Sequence, residues 1–510
     1  MNTLIERLRQ QAAASPNAIA LRSRDQHLSF SELVCAVEQA SLQLQSLRLH
    51  SIGLYLDNGI DWIIFDLAAL AAGVSVVPLP RFFSATQIVH AISDANLDGV
   101  VFDRELPPGA STRGIALPGF SDSRLQCIET RLAPAAQRQE SLGQESLAKI
   151  SYTSGSTGAP KGVELDVDCI EQTVNALCQA IGDLDIKTHL SILPYATLLE
   201  NIAGIYVPLL LGRCVHAEPS AEVGLNDALG LDPSRLLACF NRVRPNSMII
   251  TPQLLDLLCQ LVESAAISPD CLVFVAVGGA RVAPALLQRA HRVGIPAYEG
   301  YGLTEFASVA TLNTPQNDRV GSVGKPLPGV EVVVAGDGEI CLARVPATGT
   351  RQGQGYLRTG DFGSIDAHGF VHVHGRKSNL IVLANGRNVA PEWVEAELNA
   401  SPLIAQSFVF CESGERLAAL LTTSASDAAV DAEIMRINHG LPAYARLQQW
   451  HRLATPFSRE QQTLTANGRL RRRQITQQLP RLLAQIPSSM PVAINHNQNS
   501  LTESNPCQTP

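Results

Sequence analysis

The sequence predicts an α/β protein. A large N-terminal body of α/β subdomains contains a small β-barrel-like part, and a small α+β unit follows it. Three observations carry this prediction. Short apolar runs alternate with helical patterns from Ile52 to Glu299, the mark of parallel strands joined by helices. Several of these runs end in glycine-rich or polar turns just before a helix. The pattern then changes twice, to short strands with Gly/Pro turns between Val320 and Val373, and to a separate strand-and-helix unit after Arg376. A chain of 510 residues has room for three such parts, at roughly 150 residues per domain.

Composition narrows the classes. Apolar residues make up 45% and charged residues 17%, so sizeable cores are available. The net charge is −8 and no long basic run precedes residue 469, which argues against nucleic acid as the main partner. The eleven cysteines are scattered without a C-x-x-C pair, so neither a zinc site nor a disulfide framework is indicated. With no signal-peptide pattern, the expected location is cytoplasmic. The most apolar window, Ile63 to Pro80, is interrupted by Asp66, Gly73 and two prolines, too early for a membrane span. It reads instead as a buried helix over Trp62–Ala72 and a buried strand over Val74–Val77.

The elements follow in order. An amphipathic helix opens the chain at Leu4, Ile5 and Leu8. A strand at Ile19–Arg22 precedes a second helix with Ser31 as its expected N-cap. Strands are expected at Ile52–Leu56 and Gly99–Phe102, and 104–146, polar and weakly patterned, reads as a linking loop region. Downstream come a helix over Asp166–Ile181, a strand over Leu190–Pro194 and a helix over Leu198–Leu211. Strands over Ser247–Thr251, Leu272–Val277 and Pro296–Glu299 complete the series. The last two run into Gly278-Gly279-Ala280 and into Gly300-Tyr301-Gly302-Leu303-Thr304-Glu305. In open α/β sheets ligands bind beyond the carboxyl ends of the strands, so these turns are expected at one face. The small unit has strands at Leu380–Leu383, Ala405–Cys411 and Leu417–Thr422, a helix at Pro391–Leu398, then helices. The last stretch, 486–510, is rich in Asn, Gln, Ser and Pro and is expected to be disordered.

One stretch organises the chemistry. Tyr152-Thr153-Ser154-Gly155-Ser156-Thr157-Gly158-Ala159-Pro160-Lys161-Gly162-Val163 combines hydroxyls, glycines and a lysine. Glycines let successive backbone N–H groups turn inward as an anion-binding nest, hydroxyls add donors, and the lysine adds a compact charge. The stretch therefore reads as a phosphate cradle. Pro160 and Gly162 on either side of Lys161 rule out a Walker A loop, and there is no G-x-G start to a dinucleotide fingerprint.

The cradle resembles the AMP-binding signature of the acyl-adenylate-forming superfamily, and further segments in order extend the resemblance to about residue 475. Tyr301-Gly302-Leu303-Thr304-Glu305 is similar to the superfamily's Y-G-x-T-E motif. The resemblance implies adenine stacking by Tyr301, α-phosphate contact by Thr304 and a Mg²⁺ ligand in Glu305, a hard oxygen donor. Thr359-Gly360-Asp361 resembles the T-G-D motif, implying ribose binding by Asp361 together with Arg376. Thr153, Ser154, Gly155, Ser156, Thr157, Gly158 and Lys161 would hold the pyrophosphate, and Gly279 with Ala280 would flank the nucleotide. Leu193-Pro-Tyr-Ala-Thr-Leu-Leu-Glu200 resembles the L-P-L-x-H-x-x-E element with Thr197 in place of histidine. It implies an acyl pocket lined by Thr197, Glu200, Val277 and Gly278. No aspartate that would pair an α-ammonium stands near this element, which argues against an amino-acid substrate.

Two departures stand out. Ser378-Asn379 occupies the hinge, where the superfamily carries Asp or Lys. Asn467-Gly468-Arg469 places Arg469 where its catalytic lysine stands, and a planar, larger cation is not a neutral exchange. The resemblance implies two domains, 1–376 and 380–485, that use ATP and Mg²⁺ to make acyl-AMP. The acyl group would then pass to coenzyme A or to the phosphopantetheine of an acyl-carrier protein. The Leu198–Asn201 and Asn385–Glu392 segments look most like long-chain fatty acyl-CoA synthetases. A carrier-protein-loading ligase and a relative that binds acyl groups or nucleotide without adenylating remain alternatives.

Overall fold

A computed structural model of the chain describes residues 3–104, 106–107, 113–116, 126–129, 147–153, 160–225, 230–345, 355–384, 386–412, 416–465 and 469–484. These form two compact units. One is Met1–Ser378 with Ser458–Arg471, and the other is Asn379–Phe457 with the chain from Arg472 on. The expected span of 380–485 for the small unit is thus interrupted, because 458–471 belongs with the large one. That segment doubles back on itself, with the Thr465 amide donating to the Arg469 carbonyl (2.7 Å) and the Arg471 amide to the Thr463 carbonyl (2.8 Å). The stretch 486–510 lies outside the described residues.

The large unit holds two mixed sheets with parallel centres. In the first, Phe274–Val277 lies between Ser247–Ile250 and Ala297–Tyr301, all parallel. Thr188–Ser191, Cys214–Ala217 and Ile19–Arg22 extend it in parallel on the other side. In the second, Ser51–Tyr55 pairs in parallel with Ser75–Pro78 and Gly99–Phe102, and the antiparallel hairpin Leu147–Thr153/Lys161–Asp166 closes one edge. The region 104–146, expected to be loop, contains two strands, Arg113–Ala116 and Gln126–Glu129. They pair antiparallel and add to Gly99–Phe102. Hydrogen bonds to a strand 30 residues away are not legible in a polar, weakly patterned segment.

Helix Phe30–Ser46 begins two residues earlier than expected. Its N-cap is Ser29, not Ser31: the Ser29 hydroxyl accepts from the Glu32 amide and the Glu32 carboxylate accepts from the Ser29 amide (2.8 Å). This reciprocal pair satisfies two otherwise orphaned donors. Helix Ile60–Ala72 is buried on nearly every face, with Trp62, Ile63, Phe65 and Leu67 in the core. Asp66 is carried inside with them, and the buried Lys149 ammonium pairs with it. Its other oxygen accepts from Asn201 (2.9 Å) and the Tyr206 hydroxyl (2.6 Å). Burial lowers the Lys149 pKa, and Asp66 opposes that effect.

The barrel-like part is an antiparallel sheet of four strands, Val330–Val334, Glu339–Arg344, Leu357–Ile365 and Val371–Arg376. In the small unit, Gln406–Glu412 pairs antiparallel with Arg416–Thr422. Helices Pro391–Asn399 and Asp427–Gly440 supply Val394, Leu398, Val430 and Ile434 to its core. Where only helices were expected after Thr422, Leu447–Arg452 is a third strand, parallel to Arg416–Thr422. Its buried Leu447 and Trp450 are three apart, a helix-like spacing that conceals the strand. No helix among the described residues is long and apolar enough to cross a membrane.

Candidate active site

The cradle is mounted on a hairpin. Strands Leu147–Thr153 and Lys161–Asp166 run antiparallel, and Thr153 faces Lys161 across the pair. The Thr153 hydroxyl lies 3.4 Å from the Lys161 carbonyl, and Lys161 itself is exposed. Ser154, Gly155, Ser156, Thr157 and Gly158 lie outside the described residues. The base of the hairpin is fixed from below. Tyr152 donates to Asp94 (2.7 Å), and burial with this acceptor raises the phenol's pKa. His90 Nε2 sits 3.1 Å from the Pro160 carbonyl.

The second element is the turn after strand Ala297–Tyr301. Gly302 is dictated by space: a Cβ there would lie 1.6 Å from the Ser308 carbonyl oxygen. The chain then makes a single 3₁₀ turn over Thr304–Phe306 and continues through Ala307 and Ser308 with φ of 50° and 88°. Two consecutive non-glycine residues in this region store strain of order 1 kcal/mol or more each. The Ser308 amide donating to the Leu303 carbonyl (3.0 Å) and the Ala310 amide to Tyr301 (2.9 Å) hold the turn. Thr304 is half-buried and Glu305 exposed.

The third element joins the second. Asp361 faces Arg376 across strands Leu357–Ile365 and Val371–Arg376. Its buried carboxylate accepts from the Tyr301 hydroxyl (2.6 Å) and pairs with the Arg376 guanidinium (3.0 Å). Arg376 also donates to the Thr359 carbonyl (2.8 Å), and the Thr359 hydroxyl accepts from the Asp361 amide (3.0 Å). Burial, and then the Asp361 charge, raise the Tyr301 pKa, so this phenol stays protonated as a donor. Tyr301, Asp361 and Arg376, expected at one nucleotide site, are brought together, with Thr359 between them.

The fourth element is the turn from Gly278 to Val282. Val277 is buried opposite Glu299 in the sheet, while Gly279 and Ala280 are exposed. Arg281 donates to the carbonyls of Val373 (2.6 Å) and His374 (3.3 Å), tying the turn to the strand that carries Arg376. Buried Glu299 accepts from the Val282 amide (3.2 Å). Burial pushes its carboxyl up to about 8, against the pull of the Val282 amide and Arg281. Arg469 donates to the Gly279 carbonyl (2.6 Å). Its side chain is exposed and lies within electrostatic reach of Arg376 and Asp361. Arg469 therefore stands with Asp361, Arg376 and Gly279 in one place.

The expected pocket helix is a π-helix over Leu199–Tyr206 followed by a short α-turn, Val207–Leu210. Glu200, expected to line the pocket, is fully buried. Its carboxylate accepts from the Ser191 hydroxyl and the Leu193 amide (3.3 Å) and lies 3.4 Å from His189. His189 is in turn 2.9 Å from the Ser247 hydroxyl. Gly204, one helical turn on, has no room for a side chain, because a Cβ would sit 2.4 Å from the Glu200 carboxylate. Thr197 is half-buried and donates to the Pro194 carbonyl (2.7 Å). Leu199 comes nearest the Gly278 turn. Asn379 donates to Glu392 (2.6 Å). Sequence reading missed Glu299, Arg281 and the Asp66–Lys149 pair. Only the rarity of a charge inside an apolar run marks Asp66 in advance.

The sequence profile of the AMP-binding enzyme family matches residues 8–350, and that of the AMP-binding enzyme C-terminal domain matches 378–489. Long-chain-fatty-acid–CoA ligase FadD15 of Mycobacterium bovis is 25% identical over 469 residues, covering 77% of each chain. The 2-succinylbenzoate–CoA ligase of Bacillus cereus is 27% identical over 433 residues, covering 80% of this chain and 85% of the other. Among solved structures, the Bacillus subtilis O-succinylbenzoate coenzyme A synthetase with AMP superposes with a TM-score of 0.70 at 22% identity, covering 92% and 97%. The anthranilate CoA ligase AuaEII with anthranoyl-AMP gives a TM-score of 0.75 at 18% identity, covering 93% and 96%.

Proposed function

The chain belongs to the AMP-binding enzyme family of acyl-adenylate-forming proteins, and from that premise we propose that it is an AMP-forming acyl-CoA ligase acting on an apolar, long-chain fatty acid. The observation that carries the reading is the meeting of Tyr301, Asp361, Arg376 and Arg469 around the Gly278–Val282 turn.

In this reading a carboxylate attacks the α-phosphorus of ATP, the bond to the bridging oxygen breaks, and pyrophosphate leaves. The protein supplies placement and charge rather than covalent chemistry. Thr153, Ser154, Gly155, Ser156, Thr157, Gly158 and Lys161 hold the leaving group. Asp361 accepts from the ribose hydroxyls, with Arg376 and Tyr301 fixing its orientation. Thr304 contacts the α-phosphate, and Arg469 steadies the attacking carboxylate. Glu305, an exposed carboxylate at the end of the same turn, fits the oxygen-ligand chemistry of Mg²⁺. The ion, when bound, neutralises phosphate charge. The thiol of coenzyme A then displaces AMP.

Support for an apolar acid comes from the helix beside the Gly278 turn. Glu200 is the single charge in Leu199–Tyr206, and it is turned into the buried network with His189 and Ser191. Support for ATP and Mg²⁺ comes from a neighbouring synthetase solved with both. The relatives named above are CoA ligases, so coenzyme A is the proposed acceptor and a carrier protein is not. Their acids differ, fatty in one case and 2-succinylbenzoate in the other.

The test is carboxylate-dependent ATP–pyrophosphate exchange over a panel of fatty and aryl acids, with and without EDTA. Exchange greatest with long fatty acids and abolished by EDTA is the expected result. A preference for aryl acids would move the substrate to that class. No exchange with any acid, while ATP still binds, would remove the ligase reading. Exchange confined to Arg469→Lys would trace the loss to that residue.

A further inference from the structure

The chain passes between its two units three times, at 378/379, 457/458 and 471/472. Two of the residues that enter the small unit, Asn379 and Arg472, converge on one side chain there. Glu392, near the start of helix Pro391–Asn399, accepts from Asn379 Nδ2 (2.6 Å) and Arg472 Nε (3.1 Å) through the same oxygen. Its other oxygen is buried without a hydrogen-bond partner. Arg472 is held further by Glu395, whose fully buried carboxyl is raised to about 7 by desolvation, Arg472 opposing. Before the first crossing, within the large unit, Lys377 is pinned by Asp337 (2.8 Å) and Glu339 (3.1 Å). The same two carboxylates also take Arg358 (2.6 and 2.5 Å).

We propose that Glu392 is the bracket of the pivot: it fastens together the two stretches by which the chain enters the small unit, so that the small unit turns as one body about the step between Lys377 and Asn379. The inference rests on the two-step ligase reading, in which the small unit must change orientation between adenylation and thioester formation. The physical reason is leverage. Entry points that can separate would let the small unit wander through many orientations. Clamping two of the three connections to one carboxylate leaves fewer orientations, and fewer states to search means a faster passage to the productive one. The charge on Glu392 is needed because one oxygen serves an amide and a guanidinium at once. Glu392 touches no reacting atom in this account, so it is a positioning residue.

The experiment compares wild type with Glu392→Ala, Glu392→Gln and Asn379→Ala. The first readout is the rate of tryptic cleavage after Lys377 and Arg472 in the full-length protein, followed by mass spectrometry. Releasing the bracket is expected to raise cleavage there by about fivefold or more, while cleavage after Arg436 stays within about twofold. The second readout separates the half-reactions. Thioester formation from preformed acyl-AMP is expected to fall about tenfold in Glu392→Ala, with ATP–pyrophosphate exchange changing by less than about threefold. Glu392→Gln, which keeps an acceptor and loses the charge, falls between. Unchanged cleavage at the two crossings, equal loosening at Arg436, or equal loss in both half-reactions would overturn the bracket. If wild type performs neither half-reaction, the ligase reading fails, and the cleavage pattern still decides the role of Glu392.

Discussion

Replacing Glu299 by glutamine isolates one titration. The carboxyl is buried behind the Gly278–Val282 turn and titrates near 8, against 4.5 for the free side chain. A group raised in the folded state holds its proton there while the unfolded chain has released it. The folded protein therefore binds more protons between 4.5 and about 8, and stability falls as pH rises through that window. At ~1.4 kcal/mol for each tenfold change in the ionisation equilibrium, the loss has a ceiling of roughly 5 kcal/mol. Relaxation of the turn and water entry bring the expected figure to about 2 to 3 kcal/mol. Glutamine has nearly the same shape, keeps an acceptor for the Val282 amide, and does not titrate. The assay is urea unfolding from pH 5 to pH 9, read from Trp62 in a background with Trp393 and Trp450 replaced by phenylalanine, so that the large unit alone reports. Stability of Glu299→Gln minus that of the parent is expected to climb with pH and level off above 8, the other titrations cancelling. A flat difference across the range would refute the buried-acid argument.

Three further perturbations address other parts of the molecule. Asp66→Asn strands the buried Lys149 ammonium and should cost about 3 to 5 kcal/mol, whereas Asp66→Leu with Lys149→Met should regain most of that; additive costs in a double-mutant cycle would count against the pair. Gly302→Ala pushes a methyl into the Ser308 carbonyl and is expected to lower exchange more than about a hundredfold and to reduce the melting temperature; near-normal exchange would show that the turn can shift. Asp361→Asn should raise the KM for ATP about tenfold and erase any preference over 2′-deoxy-ATP; preserved discrimination would separate Asp361 from the ribose.

Local chemistry was legible and long-range partnership was not. The alternation of apolar runs announced the parallel sheets, and Tyr301, Asp361 and Arg376 were each marked by a short motif. That the Tyr301 hydroxyl would spend its proton on Asp361, sixty residues on, is a property of strand register, which no window of sequence contains. Glu200 was marked for the pocket by its motif, and a motif does not say which way the carboxylate turns. Its role is set by His189, Ser191 and the small Gly204. Lys149 was hidden for a related reason: a lysine just ahead of the cradle reads as solvent-facing unless Asp66 is known to be waiting. Arg469 was found by its neighbours in sequence, but its bond to the Gly279 carbonyl depends on 458–471 leaving the unit that surrounds it in the chain.

That departure has a consequence for how the protein ages. Because the polypeptide crosses between its units three times, a single cut after Lys377 leaves the small unit joined at both ends to 458–471, a segment that packs within the large unit. A nicked molecule would migrate as fragments on a denaturing gel and as one particle on a sizing column. It could keep its chemistry until a second crossing is severed. Proteolytic damage at these junctions should therefore inactivate the protein in two hits rather than one, with a lag before the loss.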